Sequence, residues 1–133
     1  TALANSGISG NDIDAINGHL TATTKDCLEI ENWTKSLGRN GKDFPYINSL
    51  KSMTGHCLSG AGSIESVASV LQLHEGFLFG NTNCEDLHPE ISALIDPEKV
   101  PLQTINRNLN IIAKASFGFG DVNACVIFKK FEN

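Results

Sequence analysis

The sequence predicts a layered α/β fold with a mixed sheet that ends in an antiparallel hairpin. Three observations predict it. Short runs of aliphatic and β-branched residues recur at 13–19, 46–50, 110–116 and 123–131. Segments of helical periodicity lie between the earlier runs, and strands that alternate with helices build a parallel sheet covered by helices. The last two runs are separated only by Gly118, Phe119, Gly120 and Asp121, which is a hairpin signal.

The elements follow in order. Thr1–Gly7 reads as the end of a helix capped by Gly7, so the chain is expected to be a fragment of something larger. Ile13 to His19 alternates apolar residues and is expected to be a strand. Asp26 to Leu37 places Leu28, Trp33 and Leu37 at helical spacing, with Asp26 as N-cap or first-turn residue and Gly38 as a stop. Tyr46 to Leu50 is a second strand. Lys51 to Gly62, rich in Gly and Ser, is expected to be a loop. In Ser63 to Glu75, Ile64, Val67, Ala68 and Leu71 recur at i, i+3, i+4 and i+7. Val70 and Leu73 widen that stripe, so this helix should be buried on most sides. Phe77 to Thr82 is a short extended piece. Asn83 to Pro101 is polar, carries three prolines and reads as irregular surface chain. The Gly-containing loop of the final hairpin is longer than a two-residue turn, which gives its glycines a purpose beyond reversing the chain.

Composition narrows the function classes. The chain has 133 residues, 41% of them hydrophobic, enough for one domain spanning 1–133 with a core of its own. A net charge of −5 supplies no basic footprint for nucleic acid. No apolar run reaches the roughly 20 residues of a membrane span, and the first ten residues have no signal-peptide pattern. The four cysteines, Cys27, Cys57, Cys84 and Cys125, form no C-x-x-C pair and match no zinc spacing. Reduced thiols and a cytoplasmic location are therefore expected, with no metal.

Three segments place polar chemistry at strand ends: N-G-H-L-T-A-T (17–23), K-S-M-T-G-H-C-L-S-G-A-G-S-I-E-S (51–66) and S-F-G-F-G-D-V-N (116–123). Ligands of α/β sheets bind beyond the strand ends, so these loops are expected to converge.

In these segments the chain resembles the β-ketoacyl synthases of fatty acid and polyketide synthesis, members of the thiolase-like superfamily. That family carries a histidine in A-H-G-T-x-T, a lysine and second histidine in K-x-x-x-G-H before a Gly/Ala-rich turn and a helix with a Glu, and a closing F-G-F-G-G-x-N-A. Here H-L-T-A-T stands at 19–23, K-S-M-T-G-H at 51–56, G-A-G-S-I-E at 60–65 and F-G-F-G-D-V-N-A at 117–124. Leu20 replaces the usual Gly. The segment after Thr23 lacks Pro-x-Gly-Asp and is one residue short before Asp26. Asp121 replaces a Gly. These departures bear on loop geometry rather than on the fold.

The resemblance implies one half of a thiolase-like fold and a Cys-His-His condensing site. His19 and His56 would donate hydrogen bonds to a malonyl thioester carbonyl as enolate charge develops, each such donor contributing on the order of 3 kcal/mol. Lys51 and Glu65 would be an ion pair behind His56. Thr21 and Thr23 would contact the phosphopantetheine amides. Phe119 would gate the acyl pocket, with its backbone N–H in the second oxyanion hole, and Gly118 beside it would belong to the substrate site. Implied partners are an acyl carrier protein, acyl and malonyl thioesters, the absent N-terminal half, and a second copy in a homodimer. No cofactor is implied beyond the carrier's phosphopantetheine. The cysteine nucleophile would lie in the absent half, so this chain alone is expected not to catalyse condensation.

Each feature also has a plainer reading. Taken singly, each histidine would be a hydrogen-bonded structural residue, Lys51 a solvated side chain, Glu65 a surface residue and the Phe117–Gly120 loop a plain hairpin turn. A Cys57–His56 dyad is disfavoured because neighbouring side chains point apart. His74 and His88 read as surface residues, and Cys84 with His88 gives two ligands rather than a metal site. Gly55–Gly60 has phosphate-loop spacing, but Ala61 stands where its lysine should be. A non-condensing, chain-length-factor-like partner subunit would suit Leu20 and Asp121 but has no need of two histidines. A CoA-degrading thiolase would need a second cysteine near the Gly-rich loop, and Cys125 lies within a strand pattern. A half-domain should also leave an exposed apolar face or cover it by self-association.

Overall fold

The computed structural model describes residues 1–131. A four-stranded mixed sheet organises it, in the order β2-β1-β5-β6, formed by β1 (Ala15–Asn17), β2 (Tyr46–Asn48), β5 (Ile111–Gly118) and β6 (Val122–Lys129). β1 runs parallel to both β2 and β5, and β6 returns antiparallel to β5. A separate antiparallel pair joins β3 (Phe77–Leu78) to β4 (Ile105–Asn106). The sheet is therefore mixed and ends in the hairpin that its sequence implies.

Alternation sends neighbouring strand residues to opposite faces. On one face Ile16, Ile47, Ile111 and Ala113 pack with Ile30 and Leu37 of α2 (Lys25–Leu37) and with Phe44. The other face carries Ala15 and Ile112, which pack with Leu73 of α4 (Ala61–Glu75) and with Leu78 and Leu109. Two helical layers thus sandwich the sheet. Both long helices stop at glycines in the left-handed region, Gly38 (φ 66°) and Gly76 (φ 71°). Glycine takes that conformation at no steric cost, which is why it punctuates these helices. The short α1 (Ala2–Ser6) ends at Gly7 in the same way.

The structure corrects four readings. Lys51–Gly62 is not a plain loop: it contains α3 (Lys51–Thr54) and a 3₁₀ turn over Leu58–Gly60. Asn83–Pro101 is not irregular throughout. It contains α5 (Pro89–Leu94) and a 3₁₀ turn over Pro97–Lys99, and buries Ile91 and Ile95. Pro89 and Pro97 each stand in the first turn, where the missing N–H costs nothing, so these prolines start elements rather than break them. The extended piece after Gly76 pairs only over Phe77–Leu78.

The fourth correction concerns α4. Its apolar stripe does not face the core: Ile64, Val67, Val70 and Leu71 are exposed, Val67 to 60%. The buried face carries Glu65, Ser69 and Gln72, with Leu73 beside them. The sheet face beneath is equally polar and explains the inversion. Asn17 Nδ2 donates to the Glu65 carbonyl and to Ser69 Oγ, both at 3.0 Å. Asn48 Nδ2 donates to Gln72 Oε1 at 2.9 Å, and that oxygen also accepts from the Phe79 N–H at 3.1 Å. A polar face can be buried against a sheet when its groups find partners there.

Candidate active site

Asn17 ends β1, and the chain then turns through His19–Thr24 into α2. Two carboxylates from the start of α2 hold this loop. Glu29 accepts from the His19 and Leu20 N–H groups, each at 2.9 Å, and from Trp33 Nε1 at 3.2 Å. Asp26, in the first turn, accepts from Thr21 and Ala22 N–H at 3.0 Å and from Thr23 N–H at 3.4 Å. The loop's amide groups are thus satisfied from below, which fixes the backbone beneath His19, Thr21 and Thr23. Ala22 adopts φ 56°, a strained conformation for a residue with a Cβ. Burial pushes the Glu29 carboxyl above its usual value, and its three hydrogen bonds pull it back down.

His56 stands just after α3. The Leu58 N–H donates to His56 Nδ1 at 3.0 Å. An accepting Nδ1 is unprotonated, so the ring's proton sits on Nε2. The His19 and His56 rings meet edge to face, with centroids 5.3 Å apart and planes at 80°. Phe117, at the end of β5, meets His19 in the same manner at 5.8 Å. The three separate sequence segments therefore converge.

Behind the histidines lies a buried charge cluster. Lys51 Nζ pairs with Glu65 Oε1, and Lys114 Nζ pairs with Glu65 Oε2. Relative exposures are 9% for Lys51, 2% for Glu65 and 2% for Lys114. Lys114 lies opposite Asn17 in the β1–β5 register, so the sheet's α4 face carries it directly to Glu65. Burial pulls the Lys114 ammonium below the ordinary lysine value, and Glu65 opposes that pull. His19 is held below the ordinary histidine value, first by burial and then by the positive fields of Lys51, His56 and Lys114, with Glu65 opposing.

Of the site residues read from the sequence, His19, His56, Lys51 and Glu65 come together. The Thr21 and Thr23 hydroxyls lie 3.2 Å apart at the mouth of the loop. Gly118 and Phe119 do not join this group. Phe119 is 100% exposed at the hairpin tip, and the aromatic ring against His19 belongs to Phe117. Lys114 and Glu29 are not singled out in the sequence, and Asp26 only as a residue of the helix start. Lys114 carried one usable signal, a lysine centred in an otherwise apolar strand, where a charge is tolerated only with a partner.

The cysteines stay apart from the histidine pair. Cys57 Sγ faces the carbonyls of Thr54 and Gly55, at 4.0 and 3.8 Å. Cys125 is exposed in β6, and partial desolvation by the surrounding chain pushes its thiol up. The thiol near His88 is Cys27 rather than Cys84, at 3.5 Å from Nδ1, with Glu90 close by. His88 Nδ1 already accepts from the Glu90 N–H as the cap of α5, so its lone pair is committed and we assign no metal there.

Comparison with known proteins shows the family. The family model "Beta-ketoacyl synthase, C-terminal domain" matches residues 1–85. The chain is 34% identical over 130 residues to 3-oxoacyl-[acyl-carrier-protein] synthase 2 of Vibrio harveyi, covering 97% of this chain and 30% of that protein. It is 35% identical over 134 residues to the chloroplastic synthase II of Arabidopsis thaliana, covering 98% of this chain and 24% of that protein. Among solved structures, a type II polyketide ketosynthase in complex with its acyl-carrier protein superimposes with TM-score 0.86 at 27% identity, over 98% of this chain and 31% of that one. The ishigamide ketosynthase/chain length factor superimposes with TM-score 0.88 at 25% identity, again over 98% and 31%. The fold is that of ketosynthases, a thiolase-like class. This chain belongs to the β-ketoacyl synthase family and corresponds to its C-terminal domain, spanning less than a third of the length of these relatives.

Proposed function

We propose that the protein containing this chain is a 3-oxoacyl-[acyl carrier protein] synthase, an acyltransferase that condenses an acyl thioester with a malonyl thioester. One observation carries the reading: two histidines from different loops, in ring contact, backed by a buried ion-pair cluster. In the reaction an acyl group sits on a cysteine supplied by the remainder of the protein. The bond between the malonyl α-carbon and its carboxylate breaks, CO₂ leaves, and the electron pair moves into an enolate. His56, with its proton on Nε2, donates to the enolate oxygen, and His19 donates beside it. Such donors act most strongly where charge develops in the transition state. The carbanion then attacks the acyl carbonyl, the carbon–sulfur bond breaks, and the thiolate is regenerated. The chemistry calls for no metal or cofactor beyond the carrier's phosphopantetheine arm, which Thr21 and Thr23 would bind.

Carrier protein, thioesters, a homodimer and a cytoplasmic location belong to this proposal. The similarity to a ketosynthase crystallised with its carrier protein supports the first of these. No described helix is long and apolar enough to cross a membrane. The exposed stripe of α4 and the exposed β6 are where the remainder of the protein would pack. Gly118 and Phe119 would gate the acyl pocket only once that remainder surrounds the hairpin tip. A non-condensing, chain-length-factor-like subunit is the second reading, favoured by Leu20 and Asp121 and by the ishigamide similarity. The paired histidines weigh against it, and a cysteine at the nucleophile position of the full-length protein would exclude it.

The test is CO₂ release from malonyl-carrier protein by the full-length enzyme. His19→Ala or His56→Ala should each lower the rate by about 10²–10³-fold. Wild-type rates in both variants would refute the assignment.

A further inference from the structure

The Lys51–Glu65–Lys114 cluster contains two amines and one carboxylate, all inside the protein. Lys51 and Glu65 alone would be a neutral pair. The neighbours of Lys114 Nζ are Glu65 Oε2 and the Ala115 carbonyl, which only accept, and Ser116 Oγ at 2.7 Å, which can accept or donate. A carboxylate at ion-pair distance favours the charged form of an amine. Glu65 therefore favours the ammonium of Lys114, and within the cluster two ammoniums face one carboxylate.

We propose that Lys114 is a positioning residue of this site: as the second ammonium on Glu65 it adds positive charge behind the histidine pair and so favours an anion upon it. The identity of that anion, the enolate, rests on the proposed condensation. The charge itself does not.

The groups facing His19 set the sign. Lys51 from α3, His56 from the following turn and Lys114 from β5 disfavour a protonated ring, while Glu65 from α4 favours it. Glu29 of α2 is the other carboxylate nearby, bound to the His19 backbone N–H. Phe117 adds an uncharged ring. Without Lys114, Glu65 would be matched by Lys51 alone, and the opposition to an imidazolium would shrink. An imidazole that remains neutral at lower pH keeps its donor form for an oxyanion and does not form an ion pair with the malonyl carboxylate that would hold it against leaving.

The experiment uses the full-length protein with ¹³C-labelled histidine, following ring signals by NMR against pH and assigning them with His19→Ala. Lys114→Met and Lys114→Gln should raise the His19 midpoint by about half a pH unit, the scale of one unit charge at partly screened range. Glu65→Gln should move it the other way, because at the acid pH where His19 titrates both lysines keep their protons and stand without a carboxylate partner. Lys114→Arg should keep the wild-type midpoint. The acid limb of malonyl thioester decarboxylation should shift with the midpoint. A purely structural lysine would change the yield of folded protein without this ordered set of shifts. His19 midpoints that coincide in wild type, Lys114→Gln and Glu65→Gln would overturn the proposal. The titration does not depend on turnover, so a protein that fails to decarboxylate would count against the proposed function and leave this result standing.

Discussion

Glu65→Ala should be among the most damaging single substitutions in the domain. Glu65 is 2% exposed and is the only carboxylate paired to Lys51 and Lys114 among the described residues. Breaking a buried ion pair by removing one partner costs about 3–5 kcal/mol, because the remaining charge stays desolvated. Here two ammoniums lose their partner. Releasing the proton of one of them restores the net charge of the cluster, and that route limits the penalty to a single discharge. Discharging a lysine of ordinary value 10.5 at pH 7 costs about 5 kcal/mol, at about 1.4 kcal/mol per pH unit. At pH 9 the same limit falls to about 2 kcal/mol. In the variant, the folded-state lysine value lies below the unfolded one, so stability is lost as pH falls and recovered as pH rises toward the unfolded value. The expected outcome is a loss of about 4–5 kcal/mol at pH 7, of which about 3 kcal/mol returns by pH 9. Equilibrium urea unfolding of wild type and variant at the two pH values measures it, with both midpoints converted through the wild-type m-value. A loss under about 1 kcal/mol at pH 7, or one that does not change with pH, would refute the reading of a charged, carboxylate-dependent cluster.

Two further outcomes follow from the same geometry. Glu29→Gln keeps the side-chain shape but replaces one acceptor oxygen beneath the His19 and Leu20 amides with a donor, which should cost about 1–3 kcal/mol and broaden the His19 ring signals. Thermal unfolding and NMR line widths report both effects. The 133-residue chain alone should self-associate through Ile64, Val67 and Leu71, and Val67→Lys should shift its sedimentation toward monomer while impairing assembly of the full-length protein.

The buried cluster also shows how fold and site share one construction. Asn17, Asn48 and Lys114 project from the same face of three adjacent strands, and Glu65, Ser69 and Gln72 answer them from α4. The helix that completes the layer therefore also delivers the carboxylate behind the histidines. A shift of α4 would disturb its packing and the electrostatics of His19 together.

Much of this was legible in the sequence. Alternation and Gly punctuation placed β1, α2, β2, α4 and the hairpin, because those signals are local to the chain. The motif residues His19, His56, Lys51 and Glu65 could be named because each stands at a recognisable spacing within its own segment. Other features depended on neighbours distant in sequence. Nothing local told α4 to bury Glu65, Ser69 and Gln72 and to expose Ile64 and Val67. That choice was made by the polar sheet face opposite. Lys114 sits 49 residues beyond Glu65 and reads as an oddity in a strand until β5 pairs with β1 and brings it under α4. Phe117 rather than Phe119 reaches His19 because β5 ends at Gly118, which leaves Phe119 in the turn at the exposed hairpin tip. Periodicity tells a chain which faces differ, and only the assembled layers decide which of those faces meets water.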